Sequence, residues 1–517
     1  MFLKQCTAAA DHSALQNHHF LSENRMDARP ALIPALEKIA DYEHKEDSDR
    51  LLVMDGDWKF LYLEKDTVAD LADSRKDDSN WDTIPVPSMW QYLGYGFTRY
   101  PNVEYPFPYN PPYICTENPL GCYRKGFDLP DGMPTDRVIL HFGGVDSVCF
   151  VYLNGAYVGF SKGSRLPAEF DVTACVREKD NLLAVKVFQY CDGSYLENQD
   201  MLLTSGIFRS VYLSFHDSAM VWDFEVHTTT SSVACTVHTD AMKAGSYTVT
   251  VSIDGQIKSA PAGECASFHF DLEKPRLWNA ETPNRYRLTI ALYDGERLLE
   301  QHMKYIGLRE VGIDGKYMRI NGSPIRIKGI NRHEHNCKTG KALTAAQIRA
   351  DLELIKACNL NAIRTSHYTN NPSFYDIATE LGIYVMDEAD LETHGCCVTG
   401  DEGRLSKNPD WLDAYLDRVT RMVKVNHNES CVVIRSIGNE CGKGENLERC
   451  AEYLHNLPHP LPLHYNQNEG GLCAFELTGY MPMKTLEDFA PEGRPVMLTE
   501  YAHAMGNSFC QKLNERQ

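Results

Sequence analysis

The sequence predicts a chain of two β-sandwiches followed by a (β/α)8 barrel. A length of 517 residues is too great for a single core and suits about three domains of ~100 to 200 residues each. From Leu51 to Leu308, short runs rich in β-branched and aromatic residues alternate with Gly, Asp and Pro turns, which is typical of antiparallel sandwiches. After about Arg309, strand patterns alternate with helical patterns, and this change favours parallel βα units.

Four segments follow from these patterns. Residues 1–49 are polar, His-rich and without a sustained period, so an arm or poorly ordered leader is expected. Residues 50–217 predict the first sandwich, and residues 218–309 have the length and strand spacing of a seven-stranded immunoglobulin-like sandwich. Residues 310–517 show about six clear barrel strands and a weak one near FELTGYM, whereas a closed barrel has eight. The last strand is therefore expected to be missing.

Local signals place three helices in the barrel region. Thr344 and Gln347 form a capping-box pair at the start of an amphipathic segment. A second helix is predicted to begin at Pro372 and to end near Gly382, residues suited to the first helical turn and the left-handed cap. A third is predicted over residues 411–425, where apolar residues recur on one face.

Composition excludes several classes of function. Lys and Arg number 51 against 71 Asp and Glu, a net charge of −20 that repels phosphate backbones and anionic membrane surfaces. The 17 cysteines form no CxxC pair or zinc-ribbon pattern and are expected to be reduced thiols. No secretory signal and no apolar stretch approaching ~20 residues is evident. We therefore expect a cytoplasmic enzyme with no nucleic-acid or membrane partner.

Two glutamates that follow strand patterns are candidates for paired catalytic carboxylates. Glu440 follows VVIRSIG and Asn439, and Glu500 follows PVMLT; such strand ends face one barrel mouth. Retaining glycosidases hold an acid of raised pKa and an ionised nucleophile roughly 5 to 5.5 Å apart. Arg364, at a third strand end, is expected to keep a carboxylate ionised. A single glutamate in such a place is as readily a solvated or capping residue, so the pair carries the prediction.

A metal site is predicted next to Glu440. Glu392 and His394 alternate in DLETHG, so an extended backbone points both to one side, where Glu440 completes a set that suits a hard divalent ion. The alternative is that the two side chains are only hydrogen-bonded at a strand end. The HEH tripeptide that begins at His333 lacks the HExxH spacing, so zinc is not expected.

The motifs NRHEH, RTSHY, DEADLETHG, SIGNECG and TEYAHAMGNS occur in this order. They resemble the motifs of the long, multidomain β-galactosidases of glycoside hydrolase family 2. The similarity continues upstream through YPFPYNPPYICTENPLGCY, GFSKGSRLPAEFD and SYLENQDMLLTSGIFRSVYL and covers roughly residues 50–508. It implies a sugar-binding jelly-roll sandwich, an immunoglobulin-like sandwich and a TIM barrel. It also implies cleavage of lactose-like β-D-galactosides through a galactosyl-enzyme intermediate, with Glu440 as acid/base and Glu500 as nucleophile.

The resemblance implies ligands as well. Magnesium would lie at the site of Glu392 and His394 and tune the acid/base, and sodium would lie beside the sugar on Asp200. His333 and His367 would hydrogen-bond the sugar in the transition state, and the alternative for each is a buried structural histidine. For Asn102 and Asp200 the alternative is an ordinary turn residue. The implied substrate-binding residues are Asn102, Asp200, His333, His367, Asn439, Tyr480 and His503.

The sequence departs from the family pattern at its end. FCQKLNERQ replaces the continuation expected after Ser508, as in a truncated or frameshifted product. Arg435, Cys441 and Lys443 are smaller departures near the acid/base. The alternatives to a β-galactosidase are another family 2 activity, such as β-glucuronidase or β-mannosidase, and an inactive fragment that binds sugar or complements a partner. Members of the family commonly form homo-oligomers, and the same is expected here.

Overall fold

The computed structural model describes residues 12–68, 71–115, 117–465, 473–475 and 495–500. The predicted site residues Tyr480 and His503 lie outside this part of the chain. Within it, no helix combines the length and the apolar character needed to cross a bilayer. The cysteines whose side chains are described there are free thiols.

The first domain is the predicted sandwich, with a core of alternating inward residues such as Trp58 and Phe60. A small antiparallel strand pair, Gly206–Ile207 with Val145–Asp146, belongs to the same domain. The seven-stranded antiparallel sheet has the order Ser22–Glu23, Ala156–Lys162, Val148–Leu153, Asn181–Phe188, Leu120–Phe127, Gly56–Leu63, Asp82–Val86. The facing sheet has the order Ala168–Asp171, Arg137–Phe142, Val211–His216, Leu51–Val53.

The N-terminal segment is extended but packed against both sandwiches. Ser22–Glu23 forms the edge strand next to Ala156–Lys162. Ala35 exchanges two backbone hydrogen bonds, of 3.0 and 2.8 Å, with Gln301 of the second domain. Of the two alternatives, an arm or a poorly ordered leader, residues 12–49 form an arm, because backbone pairing to two domains anchors a segment that has no period of its own.

The second domain is a sandwich of seven strands. Alternate residues of its strands are buried, for example Val249, Val251 and Ile253, as expected where one face of each sheet covers a core. One sheet has the order Ala219–Thr228, Ser232–Ala241, Cys265–Asp271, and the other Gln256–Pro261, Tyr247–Ile253, Tyr286–Asp294, Arg297–Ile306.

The third domain contains the parallel strands of the barrel. A small antiparallel sheet precedes them, formed by Val311–Asp314, Tyr317–Ile320 and Ser323–Pro324. Five strands then pair in parallel and in chain order: Gly329–Asn331, Ala362–Arg364, Tyr384–Glu388, Val432–Ser436 and Leu463–His464. Cys473–Phe475, at the weak strand predicted near FELTGYM, pairs in parallel with Val496–Leu498.

Helices alternate with these strands, and their ends obey the predicted local signals. Thr344 and Gln347 close a capping box, and Gly382 ends its helix at φ 71°. Each helix buries one apolar face against the sheet, as Ile348, Leu352 and Ile355 do. The α-helices are Ala345–Ala357, Pro372–Leu381, Leu412–Asn426 and Glu445–His455, and the 3-10 turns are His12–Gln16, Lys45–Asp47, Trp90–Leu93, Asp192–Tyr195, His394–Thr399 and Pro409–Trp411.

The seven described barrel strands leave a gap. A cavity of about 810 Å³ lies between Gly329–Asn331 and Val496–Leu498 and is lined largely by aliphatic side chains. Asn331 reaches across its rim and donates from Nδ2 to the Thr499 carbonyl at 2.8 Å. Among the described strands, therefore, a side-chain hydrogen bond takes the place of backbone pairing between the first barrel strand and the segment after Val496–Leu498.

A buried ion pair joins the first sandwich to the barrel. Arg209 donates to Glu334 at 2.7 Å, and each side chain is only 2% exposed. Arg209 also donates to the Thr369 carbonyl at 2.9 Å, while the other oxygen of Glu334 accepts from the Asn371 amide at 2.8 Å. The neighbouring His335 lies 3.2 Å from the hydroxyl of Tyr92. The HEH tripeptide thus contributes its last two side chains to domain contacts.

Replacing Arg209→Met is expected to lower the free energy of unfolding by about 3 to 5 kcal/mol, because Glu334 would remain buried without its charge partner. Urea unfolding followed by tryptophan fluorescence measures the loss. Arg75→Met removes an arginine that is 88% exposed and should leave the midpoint nearly unchanged. Equal midpoints for the two variants would contradict the role of the buried pair.

Candidate active site

Arg364 lies at the centre of a cluster formed by the carboxyl ends of the barrel strands. Its guanidinium donates from Nη1 to Glu500 at 3.0 Å, from Nη2 to Asn439 Oδ1 at 2.9 Å and from Nε to Glu388 at 2.7 Å. Three strand ends are thereby linked to one side chain that is itself buried. Arginine suits this task because its planar donors are fixed in direction and always charged.

Glu440 is connected to the same cluster through Asn439. The Asn439 amide donates to Glu440 Oε2 at 3.3 Å and to Glu392 Oε2 at 3.1 Å. His394 Nδ1 lies 2.7 Å from Glu440 Oε2. The backbone of Glu440 has φ +38°, a left-handed conformation that costs energy for a residue with a side chain. The structure therefore brings Glu440 and Glu500 to the two ends of one Arg364–Asn439 bridge.

The predicted metal-binding residues also come together. One ligand atom from each of Glu392, His394 and Glu440 lies within 4.8 Å of the others. Glu392 is fully buried, and its Oε1 has no hydrogen-bond partner among the described residues. An unpaired buried carboxylate oxygen facing a second carboxylate is costly, and a divalent cation would relieve both problems. The three residues fit a hard metal ion.

The pKa shifts at this pair differ from the expectation. Burial raises the pKa of Glu392 well above its ordinary value, and the charge of Glu440 adds to the rise. Burial would also raise the pKa of Glu440, but the hydrogen bond and charge of His394 outweigh it and hold that pKa low. The raised pKa expected of the acid/base thus belongs to Glu392 and not to Glu440, because Glu392 is more deeply buried and has no cationic partner among the described residues.

A loop of the first domain holds the metal-binding segment in place. Glu392 donates its backbone N–H to Leu196 O at 2.8 Å, and its carbonyl accepts from the Asn198 N–H at 3.1 Å. On the other side, the Asn439 N–H donates to Leu391 O at 2.9 Å. These parallel bridges make a short three-stranded ladder. The first sandwich therefore shapes the site directly.

The two predicted sugar-binding histidines lie side by side. The rings of His333 and His367 are 5.5 Å apart and nearly perpendicular. Burial, with the nearby charge of His367, lowers the pKa of His333 to about 3, so His333 is neutral at physiological pH. His367 contacts Glu388 at 2.7 Å and lies 3.6 Å from Glu500.

Asn102 and Asp200 lie on adjacent loops of the first domain. The loops pair where Leu203 N–H donates to Arg99 O at 2.8 Å. Burial and a hydrogen bond to Asp200 raise the pKa of Tyr100 to about 12, and Asp200 Oδ1 has no hydrogen-bond partner among the described residues. That orphaned oxygen fits a cation. Neither Asn102 nor Asp200 hydrogen-bonds to the carboxylate cluster within the described part of the chain.

Sequence reasoning missed Glu388 and Asn198. Glu388 is the last residue of the strand Tyr384–Glu388, the position where barrel strands present functional side chains, so this signal was available. Asn198 accepts from the Gly395 N–H at 2.6 Å next to the metal-binding segment. Its role depends on contact between two domains, for which the sequence contains no local signal.

Three family models match almost the whole chain. The family 2 sugar-binding domain matches residues 51–216, the family 2 model residues 211–309 and the family 2 TIM barrel domain residues 311–515. Together with the observed domain order and barrel-mouth carboxylates, these matches show that the chain belongs to glycosyl hydrolase family 2. The predicted fold class of jelly-roll sandwich, immunoglobulin-like sandwich and TIM barrel is confirmed.

Within this family the chain is similar to bacterial β-galactosidases. It is 36% identical to that of Pectobacterium atrosepticum over 91% of this chain and 49% of the relative. It is 37% identical to that of Vibrio vulnificus over 88% and 48%. The chain thus spans about half the length of these relatives.

Solved structures show the same fold at lower sequence identity. The β-glucuronidase of Bifidobacterium dentium, complexed with coumarin-3-O-glucuronide, has a TM-score of 0.66 and is 21% identical, over 84% of this chain and 76% of that one. A β-glycosidase from Bacteroides vulgatus has a TM-score of 0.65 and is 22% identical, over 83% and 56%. At these identities the likeness concerns the fold alone.

His464 gives the site a testable pH dependence. It is fully buried beside Ser436, and burial, with the charge of Arg364, lowers its pKa to about 3 from the ordinary histidine value of about 6.5. Between these values the unfolded chain binds a proton that the folded chain does not, so stability falls as pH falls. From pH 7 to 5.5, this group is expected to cost the wild type about 1 kcal/mol.

The His464→Gln variant should lack that part of the acid-induced loss. Urea unfolding at pH 7 and pH 5.5 measures the difference for wild type and variant. His269→Gln, at an exposed histidine, is the control and should lose as much stability as the wild type. A His464→Gln variant that is equally sensitive to acid would show that His464 does not contribute in this way.

Proposed function

We propose that this chain carries the catalytic pair of a retaining β-galactosidase that removes terminal β-D-galactose from lactose-like galactosides. The observation that carries the proposal is the bridge Glu500–Arg364–Asn439–Glu440 at the barrel mouth. It holds two carboxylates of different surroundings at one barrel mouth, and double displacement uses two such groups. The β-galactosidase relatives support galactose as the sugar.

In the first step, Glu500 attacks the anomeric carbon, and a Glu500–sugar ester replaces the glycosidic bond. Its ion pair with Arg364, at 3.0 Å, orients the Glu500 carboxylate. Glu440 gives a proton to the departing oxygen. Glu440 lies next to Glu392, and a bound sugar would exclude water from it; both effects favour the protonated form of Glu440. In the second step, Glu440 takes a proton from water as the water cleaves the ester.

A neutral histidine contributes to the proposed sugar site. His333, whose pKa lies near 3, can donate one hydrogen bond and accept another without carrying charge. His367, Asn439, Asn102 and Asp200 are proposed to bind the galactose hydroxyls, as are Tyr480 and His503 beyond the described residues. Preorganised donors of this kind strengthen as charge develops in the transition state.

Magnesium is the proposed ion at Glu392, His394 and Glu440. When bound, it would supply a fixed positive charge that adjusts the acidity of Glu440. The orphaned oxygen of Glu392 supports the assignment. Sodium is proposed at Asp200 for the same reason, since Asp200 Oδ1 has no partner among the described residues.

Two other interpretations remain. A β-glucuronidase or β-mannosidase would use the same carboxylates, and several similar folds are β-glucuronidases. An inactive fragment would retain the pair but lack a completed sugar site. The higher identity to β-galactosidases, 36% against 21%, favours the first proposal. The cytoplasmic location and the homo-oligomer stay predictions.

The purified chain, supplied with magnesium and sodium, should hydrolyse a chromogenic β-galactoside faster than the matching glucuronide or mannoside. Glu500→Gln should reduce kcat by on the order of 10⁴-fold, because a neutral amide cannot form the ester. Glu353→Gln, on an exposed helical position, is the matched control and should keep full activity.

Three other results of these activity measurements would change the proposal. Ordinary turnover by the Glu500→Gln variant would disprove the nucleophile assignment. Preference for the glucuronide or the mannoside would move the proposal to that substrate. A folded wild-type chain with no turnover would favour the inactive fragment.

Magnesium binding can be measured without turnover. Isothermal titration with Mg²⁺ should show one site in the wild type, and Glu392→Gln should weaken it more than about 100-fold, since the loss of even an outer-shell partner costs 10- to 100-fold. Glu402→Gln is the control, because Glu402 lies close enough for the charge of Glu440 to act on it but is not one of the three residues. Equal weakening by both variants would indicate diffuse attraction rather than a metal site.

A further inference from the structure

Glu388 is a further acidic residue at the barrel mouth, and its carboxylate is fully buried. Its Oε2 accepts from Arg364 Nε at 2.7 Å, and its Oε1 lies 2.7 Å from His367 Nδ1. Each of these partners also reaches Glu500, Arg364 at 3.0 Å and His367 at 3.6 Å. Glu388 therefore holds both groups that flank the proposed nucleophile and does not itself contact it in any described interaction.

The surroundings of Glu388 keep it ionised. Burial alone would raise its pKa, but the charge of Arg364 and the hydrogen bond from His367 outweigh burial and hold the pKa below its ordinary value. Ser436 Oγ donates to Oε2 at 2.5 Å, and the Glu388 backbone N–H donates to Thr365 Oγ1 at 3.0 Å. A carboxylate so fully hydrogen-bonded has one orientation.

The orientation of the Glu388 carboxylate fixes the positions of its two donors, His367 and Arg364. An ionised Glu388 can only accept, so His367 must carry its proton on Nδ1, and its Nε2 then points toward Glu500. Arg364 uses its Nε edge on Glu388, so its Nη1 edge remains for Glu500. The partner of a catalytic histidine commonly sets the ring orientation and tautomer in this way.

The adjacent residue has a different task. Asp387 lies on the same strand, but its side chain points to the opposite side of the sheet. There it accepts from Tyr375 at 2.7 Å and from Asn426 at 3.0 Å, and it pairs with Arg435. Asp387 is as buried as Glu388 and equally charge-paired, but it faces the helix layer and not the barrel mouth.

From this geometry we infer that Glu388 is a positioning residue that orients Arg364 and His367 toward Glu500. The inference rests on the proposed function, because it assigns a task at the same site. It concerns the rate of the chemical step more than the binding of the sugar. A carboxamide at position 388 can accept from only one of the two donors, and its own N–H groups would face the other.

The test compares Glu388→Gln with Asp387→Asn, two variants that each neutralise a buried, charge-paired acid on one strand. The substrate is whichever chromogenic β-glycoside the wild type hydrolyses fastest among galactoside, glucuronide and mannoside. Glu388→Gln should lower kcat per folded molecule on the order of 100-fold, with a much smaller change in KM. Asp387→Asn should lose stability but keep kcat within a few-fold of the wild type, because it has no described contact with Glu500, Arg364 or His367.

A spectroscopic measurement accompanies the kinetics. In the chain labelled with ¹⁵N-histidine, the Nδ1–H of His367 should give a hydrogen-bonded proton resonance, which His367→Gln identifies by its loss. Glu388→Gln should shift or remove that resonance, and Asp387→Asn should not. Ser436→Ala removes one donor to Glu388 and should produce a smaller change of the same kind; it replaces Glu388→Gln if that variant does not fold.

The outcomes separate this inference from the proposed function. Turnover of a galactoside with unchanged kcat in Glu388→Gln would overturn the inference and leave the function standing. Turnover of a different glycoside would overturn the proposed substrate, while the comparison of variants would still decide the inference. If the wild type cleaves none of the three glycosides, the His367 resonance decides, and an unchanged resonance in Glu388→Gln overturns the inference.

Discussion

Arg364 must satisfy three acceptors at once, and most of the candidate site depends on that constraint. Its guanidinium ties the ends of separate strands to one another through Glu500, Asn439 and Glu388. A buried arginine has no neutral form in proteins, so its partners must lie where its fixed donors point. The barrel positions the strands approximately, and the three hydrogen bonds of Arg364 determine the final placement of the acids.

Buried charged side chains make two kinds of contact in this molecule. Arg209 with Glu334 pairs one cation with one anion, and such pairs specify how domains meet. At Glu392 and Glu440 two carboxyl groups lie together with one histidine, and ionisation of both is unfavourable without a further cation. The Arg209–Glu334 contact is thus balanced in charge, whereas the candidate metal site has fewer positive charges than carboxyl groups.

Much of the fold could be predicted because its signals are local. The cap at Thr344 and the Pro372 start are read from a few adjacent residues, and strand ends such as Glu440 follow from periodicity. The strand-end position of Glu388 was a usable sequence signal, but only contacts in space show that this acid of DEADLE pairs with Arg364. The sequence also could not predict that the pKa is raised at Glu392 and lowered at Glu440, because this depends on which of the two carboxylates contacts His394.

The ladder between Leu196, Glu392 and Asn439 has a consequence for synthesis on the ribosome. The loop of the first sandwich emerges about 200 residues before the segment that pairs with it, an interval of about 10 to 40 s at 5–20 residues per second. During that time the loop's backbone groups remain open to water or to other chains. A slow stretch of translation, or a chaperone that covers the loop, would therefore influence how many chains assemble this ladder at all.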